Sequence, residues 1–139
     1  MELPRSIKVG LKAEAKQEVT PELTATHIGS GSLSVYATPA MAALVEHTCA
    51  SMLSELLPEG QTSVGVEIHL RHLAPTPVNN VVHIRVEVVS IAENLVSFTA
   101  QIFDEMDLVG EAEHRRAVID IDRFLKRVDR KVSELSSTH

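Results

Sequence analysis

The chain has 139 residues, with 19 acidic against 13 basic side chains and a formal net charge of −6; this is one domain with room for a core, and not the charge balance of a general nucleic-acid binder. Its 44% hydrophobic and 23% charged residues are those of a globular protein, and with aromatics at 3% and no Trp the core must be aliphatic. A single cysteine, Cys49, excludes an intrachain disulfide and a CxxC metal site, and the lack of a signal-like run or a bilayer-length apolar stretch leads to the expectation of a cytoplasmic protein with no membrane partner.

Residues 1–10 read as a loose arm. From Leu11 to Val19, Leu11, Ala13, Ala15 and Val19 alternate with Lys12, Glu14, Lys16 and Glu18, which predicts a half-exposed edge strand ended by Thr20-Pro21. The segment His27-Ile28-Gly29-Ser30-Gly31-Ser32 is small in composition, so residues 27–37 are either a connector or a lid. Thr38-Pro39 starts a long helix, the threonine oxygen serving as a cap and the proline standing at the first helical position, and Pro58-Glu59-Gly60 stops it after Leu57. At about 100° per residue, Ala42, Ala43, Val45, Cys49, Ala50, Leu53, Leu56 and Leu57 form an apolar arc opposite His47, Thr48, Ser51, Ser54 and Glu55, with Leu44 falling among the polar residues. Glu46 lands near the middle of the apolar arc. An ionised carboxylate there costs several kcal/mol unless it is paired, hydrogen-bonded or reached by water, so it is either a structural acid tied to a base or a functional carboxylate.

Four strands follow. Val64, Val66, Ile68 and Leu70 share a face opposite Ser63, Gly65, Glu67, His69 and Arg71, and in the absence of a bulge His72 points with the valines toward the helix. Val82, Ile84, Val86 and Val88, then Val96, Phe98, Ala100 and Ile102, mark the two clearest strands; Asn94 and Asp104 to Asp107 supply turns. A less regular strand runs from Leu108 to Ile121 with His114, Arg115 and Arg116 in its middle, and a charged C-terminal helix covers 122–136 with Phe124, Leu125, Val128, Val132 and Leu135 in a stripe. One domain over 1–139 results. Its element order predicts an α+β hotdog fold, an antiparallel sheet wrapped around one long central helix, and its strand edges predict a homodimer or higher homo-oligomer.

Thr38, Glu46 and His72 stand out from this patterning. A hydroxyl, a carboxylate and an imidazole are the parts needed to attack an acyl group or activate water, provided that they converge; the catalytic reading therefore asks that Glu46 be sheltered and within reach of the other two. His69 and His72 differ in parity and have no companions, so no metal is expected. The run Val35-Tyr36-Ala37-Thr38, with Glu46 eight residues later, Gly65 and His72 seven apart, and then His114-Arg115-Arg116-Ala117-Val118-Ile119, resembles the fluoroacetyl-CoA thioesterase group of hotdog proteins over residues 17–128. The resemblance implies hydrolysis of an acyl-CoA thioester by a homodimer without metal or cofactor, with catalytic roles for Thr38, Glu46 and His72, and with Gly65 near the thioester carbonyl and Arg116 on the last strand as substrate-binding residues. The family's lid bears phenylalanines where this chain has Gly29, Ser30, Gly31, Ser32, Leu33 and Ser34, so an aromatic gate is not expected. The alternative from another class is a non-catalytic acyl-CoA or acyl-carrier binding module on the same fold.

Overall fold

Alternation of apolar and polar residues makes the long strands from which the sheet is built, and one helix covers the apolar face of that sheet. The computed structural model describes residues 1–137; Thr138 and His139, at the end of the expected domain, lie outside the described residues. In chain order the elements are β1 (Lys12–Glu18), a 3-10 turn (Pro21–Leu23), α1 (Ala25–Ile28), α2 (Thr38–Ser54), β2 (Gln61–His72), β3 (Val81–Ala92), β4 (Leu95–Phe103), β5 (Leu108–Asp120) and α3 (Ile121–Ser137). The sheet runs β1-β3-β4-β5-β2 with every pair antiparallel. α2 packs across one face, which is the expected hotdog arrangement, and β1 and β2 are the two edges.

The buried residues of β3 and β4 are those their alternation predicts: Val82, Ile84, Val86 and Val88 pack with Val96, Phe98, Ala100 and Ile102. Asp104 makes the turn into β5 by accepting the Met106 and Asp107 N–H groups at 2.9 and 2.8 Å. The connector between β1 and α2 is more ordered than its composition suggests. Thr24 caps α1 by accepting the His27 N–H, Gly29 ends it at a φ of 88°, and bridges Thr24–Tyr36 and Val35–Pro77 fasten both sides. The N-terminal arm is anchored as well, with Ile7 4% exposed and the Gly10 N–H donating to Val88 O at 2.8 Å. No helix among the described residues is long and apolar enough to cross a membrane.

Two expectations are corrected. The buried stripe of α2 is Ala40, Met41, Leu44, Val45, Thr48, Cys49, Met52 and Leu53, whereas Ala43 and Glu46 are exposed. The helix turns its bulky residues inward because burial energy scales with apolar area, and alanines contribute little of it; Thr48 joins them at small cost because its hydroxyl donates to Leu44 O at 2.8 Å. In β2 the register against β5 shifts between Gly65 and Glu67. Val66 is the extra residue, 53% exposed. Before it Ser63 and Gly65 face α2; after it Ile68, Leu70 and His72 do, so Val64 does not share their face.

α3 has no buried residue, and Leu125, Val128 and Val132 of its predicted stripe are exposed. The tightest packing lies elsewhere, where Gly110 of β5 meets Met41 of α2: a Cβ there would overlap the Met41 sulfur. Gly110→Ala is therefore expected to lower stability by about 1–3 kcal/mol, the usual cost of overpacking. A urea midpoint equal to that of the parent chain would show that Met41 moves aside freely.

Candidate active site

Helix α2 begins without a side-chain cap. Ala37 is the N-cap, extended at φ −83° and ψ 142°, and Pro39 sits in the first turn. Thr38 is thus the first helical residue rather than the cap that its sequence position suggests, because its hydroxyl is engaged elsewhere. It lies 2.8 Å from His72 Nδ1, at the far end of β2. The exposed hydroxyl and the half-buried imidazole meet beside the open N–H groups of the first helical turn.

Burial pushes the His72 imidazole below its ordinary value of 6.5, against a smaller upward pull from the Ala74 backbone. Its Nε2 is buried without a hydrogen-bond partner among the described residues, and Tyr36 packs edge-on at 6.3 Å between ring centroids. A bare buried lone pair costs less than an orphaned buried N–H. Thr38 Oγ1 and His72 Nδ1 share one hydrogen bond whose direction follows the tautomer of the ring.

A second cluster gathers around Gly65. Arg116, on the helix-facing side of β5, is only 6% exposed. Its Nε donates to Ser63 Oγ at 2.8 Å, its Nη2 to Ser63 O at 3.1 Å, and its Nη1 lies 3.1 Å from His114 Nε2. A Cβ on Gly65 would meet Arg116 Nη1 at 3.3 Å, Glu46 Oε2 at 3.4 Å and His114 Cε1 at 3.4 Å, so all three groups crowd the open face of the glycine. Burial lowers the Arg116 pKa, and the charge of Glu46 opposes the shift. The Cys49 thiol is pushed up to about 12, first by burial, which keeps it protonated and a core filler.

Glu46 is not sheltered as the helical projection predicts; it is exposed in the single chain. Nor does the trio close there. Eight residues of α2 separate Thr38 from Glu46, about 12 Å of rise, and the strand from Gly65 to His72 spans roughly 20 Å. The chain brings Thr38 to His72, and Glu46 to Gly65 and Arg116, at opposite ends of β2. Sequence reasoning missed two members of the second cluster, Ser63 and His114. His114 shares the strand parity of Ala112, Arg116 and Val118, all buried, and that alternation was the available signal; Ser63 was hidden by the bulge.

Among the described residues no group of three or more His, Cys, Asp or Glu side chains could hold a metal. A broad groove of about 860 Å³ lies on the other face of the sheet, lined by cross-strand charges such as Glu14, Arg85, Glu111 and Arg71; Arg85 pairs with Glu14 at 3.4 Å and Arg71 with Glu111. It is a solvated charge ladder and contains none of the site residues.

Residues 19–122 match the family described as fluoroacetyl-CoA-specific thioesterase. A fluoroacetyl-CoA thioesterase of Streptantibioticus cattleyicolor is 32% identical over 97 residues, 70% of each chain. The solved structure of the fluoroacetyl-CoA thioesterase FlK is similar at a TM-score of 0.84 and 28% identity, covering 90% of this chain and 97% of its own. A hot-dog-like protein from Thermanaerovibrio acidaminovorans is similar at 0.83 and 27%, covering 88% and 91%.

The two buried imidazoles make stability depend on pH. His72 and His114 both titrate below 6.5 in the folded chain, each mainly through burial; the unfolded chain therefore binds more protons just below that value, and stability falls as pH drops from about 6.5 toward 5. Denaturant midpoints should be level above about 6.5 and decline below it. NMR titrations that put either ring at or above 6.5 would remove the cause.

Proposed function

We propose a reaction from the premise that the chain belongs to the fluoroacetyl-CoA-specific thioesterase family: it is an acyl-CoA thioesterase, and it hydrolyses the thioester of a short acyl-CoA using Thr38, Glu46 and His72, with Gly65 and Arg116 binding the substrate. The observation that carries this reading is the 2.8 Å contact of Thr38 with His72 at the opening of α2, a hydroxyl freed from capping and oriented by an imidazole.

The working enzyme is a homodimer in which each site draws on both chains. β2 is a free edge of 12 residues, and such an edge is a template for another strand. A second copy adding its own β2 antiparallel, with the two-fold axis near Ile68 and His69, sets His72 of one chain against the bulge at Gly65 of the other, both facing the helices. The partner's Glu46 then stands beside Thr38 and His72. The same pairing covers Val66 and brings the exposed, small-residue face of α2 against its copy.

In that setting Glu46 attacks the thioester carbon, directly or by taking a proton from the attacking water. The developing oxyanion is met by the Thr38 hydroxyl and the N-terminal N–H groups of α2 from one chain and by the partner's Gly65 N–H. When water attacks, collapse breaks the C–S bond and the CoA thiolate takes the proton that Glu46 removed from that water; when Glu46 attacks directly, C–S cleavage leaves the acyl group on Glu46 as an anhydride, which a water then splits, giving its hydroxyl to the acyl group and its proton to the thiolate. The absence of any aromatic residue at 29–34, where only Leu33 is larger than serine, supports a substrate range not restricted to the fluorinated acyl group.

Thiol release from acetyl-, propionyl-, butyryl- and fluoroacetyl-CoA tests the activity, and binding without release would favour the non-catalytic module. Glu46→Gln should lower kcat by at least about a hundredfold, and Thr38→Ala should lower turnover with little change in melting temperature, since no cap is lost. Mixed in equal amounts and allowed to exchange subunits, those two inactive variants should recover about a quarter of the parent activity, because half of the dimers regain one intact site. No recovery in demonstrably mixed dimers would put all three groups in one chain and sink the shared site.

A further inference from the structure

Arg116 is held by three acceptors, and one of them is an imidazole that the proposed reaction does not otherwise use. His114 is 2% exposed. Its Nδ1 lies 2.8 Å from Glu67 O, and a carbonyl oxygen only accepts, so Nδ1 carries the ring proton. Nε2 is then the bare nitrogen, and at 3.1 Å it accepts from Arg116 Nη1. The tautomer is forced by its surroundings. Phe98 of β4 stacks on the ring with centroids 6.3 Å apart and planes at 27°, which fixes its orientation.

We infer that neutral His114 is a positioning residue for thioester hydrolysis: it ties the β2 bulge to Arg116 and so holds the guanidinium beside Gly65 and Glu46. This rests on the thioesterase reading of that site. The geometry behind it is one connected path. Glu67 is the first residue beyond the bulge, His114 bonds its carbonyl, Arg116 bonds His114, and Arg116 Nη1 and Glu46 Oε2 approach the same face of Gly65. An arginine has five N–H donors; His114 and Ser63 engage three of them, and the remaining two, one on each terminal nitrogen, are left for the carboxylate or for a substrate oxygen. Without His114 the guanidinium keeps only its Ser63 contacts and can swing about them, and the Glu67 carbonyl loses its donor.

A double-mutant cycle with an NMR readout tests the inference. His114→Leu, which keeps the bulk and removes both hydrogen bonds, should lower kcat/KM about tenfold or more, and His114→Gln, whose amide oxygen can still accept from Arg116, should stay within about threefold of the parent. In an Arg116→Gln background His114→Leu should cost less than about twofold further, since a residue acting through Arg116 has nothing left to hold. Additive losses in chains of parent-like melting temperature would overturn the positioning role. Independently of activity, the ¹⁵N shifts of His114 should report the neutral Nδ1–H tautomer at pH 7.5, and slowly exchanging Arg116 guanidinium protons should be lost in His114→Leu and kept in His114→Gln. An Nε2–H or charged ring, or Arg116 signals indifferent to both variants, would refute the anchor. A chain that releases no thiol but shows the tautomer and the Arg116 response would refute only the thioesterase reading.

Discussion

One extra residue in an edge strand decides which groups meet. Side chains along a strand alternate, so Gly65 and His72, seven apart, belong on opposite faces of a regular β2. The bulge at Val66 turns both toward α2, where His72 reaches Thr38 and Gly65 admits Arg116 and Glu46. Remove the extra residue and one of the two clusters faces the opposite side of the sheet. The irregularity is also pinned: the carbonyl that follows it accepts from His114, the ring that anchors Arg116. Bulges gather at sheet edges and near reacting groups because they re-aim side chains in this way.

The parts of the molecule legible in the sequence are those where a single physical rule acts alone. β3 and β4 alternate apolar with polar residues on either side of a two-residue turn, so their fully buried residues were identified; only Ile91, beyond the register shift at Val88 to Ser90, packs against the core without having been named. Strand parity put His72 on the helix-facing side, although it reached the right face for the wrong reason, having assumed no bulge; that His72 meets Thr38 was implied only by the family resemblance and not by the patterning. The phase of α2 was harder. A binary pattern counts Ala42, Ala43 and Ala50 equally with Met41 and Leu44, while the energy of burial does not, and the helix turned far enough to put Glu46 outside. The bulge itself leaves no residue-level signature, since Gly65 reads as an ordinary outward residue. Helix α1, four residues long, is too short for periodicity, and only its Thr24 cap and Gly29 stop mark it.

The electrostatics of the site follow from burial. A guanidinium that is 6% exposed in a chain of net charge −6 has lost most of its hydration; three hydrogen bonds and the charge of Glu46 offset that loss. Fixed by its partners, it is a positive group that need not reorganise when charge develops nearby. The imidazoles serve different ends although burial lowers both. His72 leaves one nitrogen bare and orients a hydroxyl; His114 satisfies both nitrogens and orients a cation.

The separation of the two clusters gives the free edge of β2 its meaning. One end of the strand carries the hydroxyl and imidazole, the other the glycine, guanidinium and carboxylate, roughly 20 Å apart. A translation or a parallel pairing of two copies would keep like ends together. A two-fold axis perpendicular to the strand exchanges its ends, and it is the symmetry that closed protein dimers most often adopt. Under it each copy supplies what the other lacks, twice over, while the unpaired N–H and C=O groups of both edges are satisfied. The proposed dimer therefore needs no separate justification for stability and for chemistry: the edge that must be covered is the same edge along which the site is divided, and the bulge that divides it is what lets both halves face the helices.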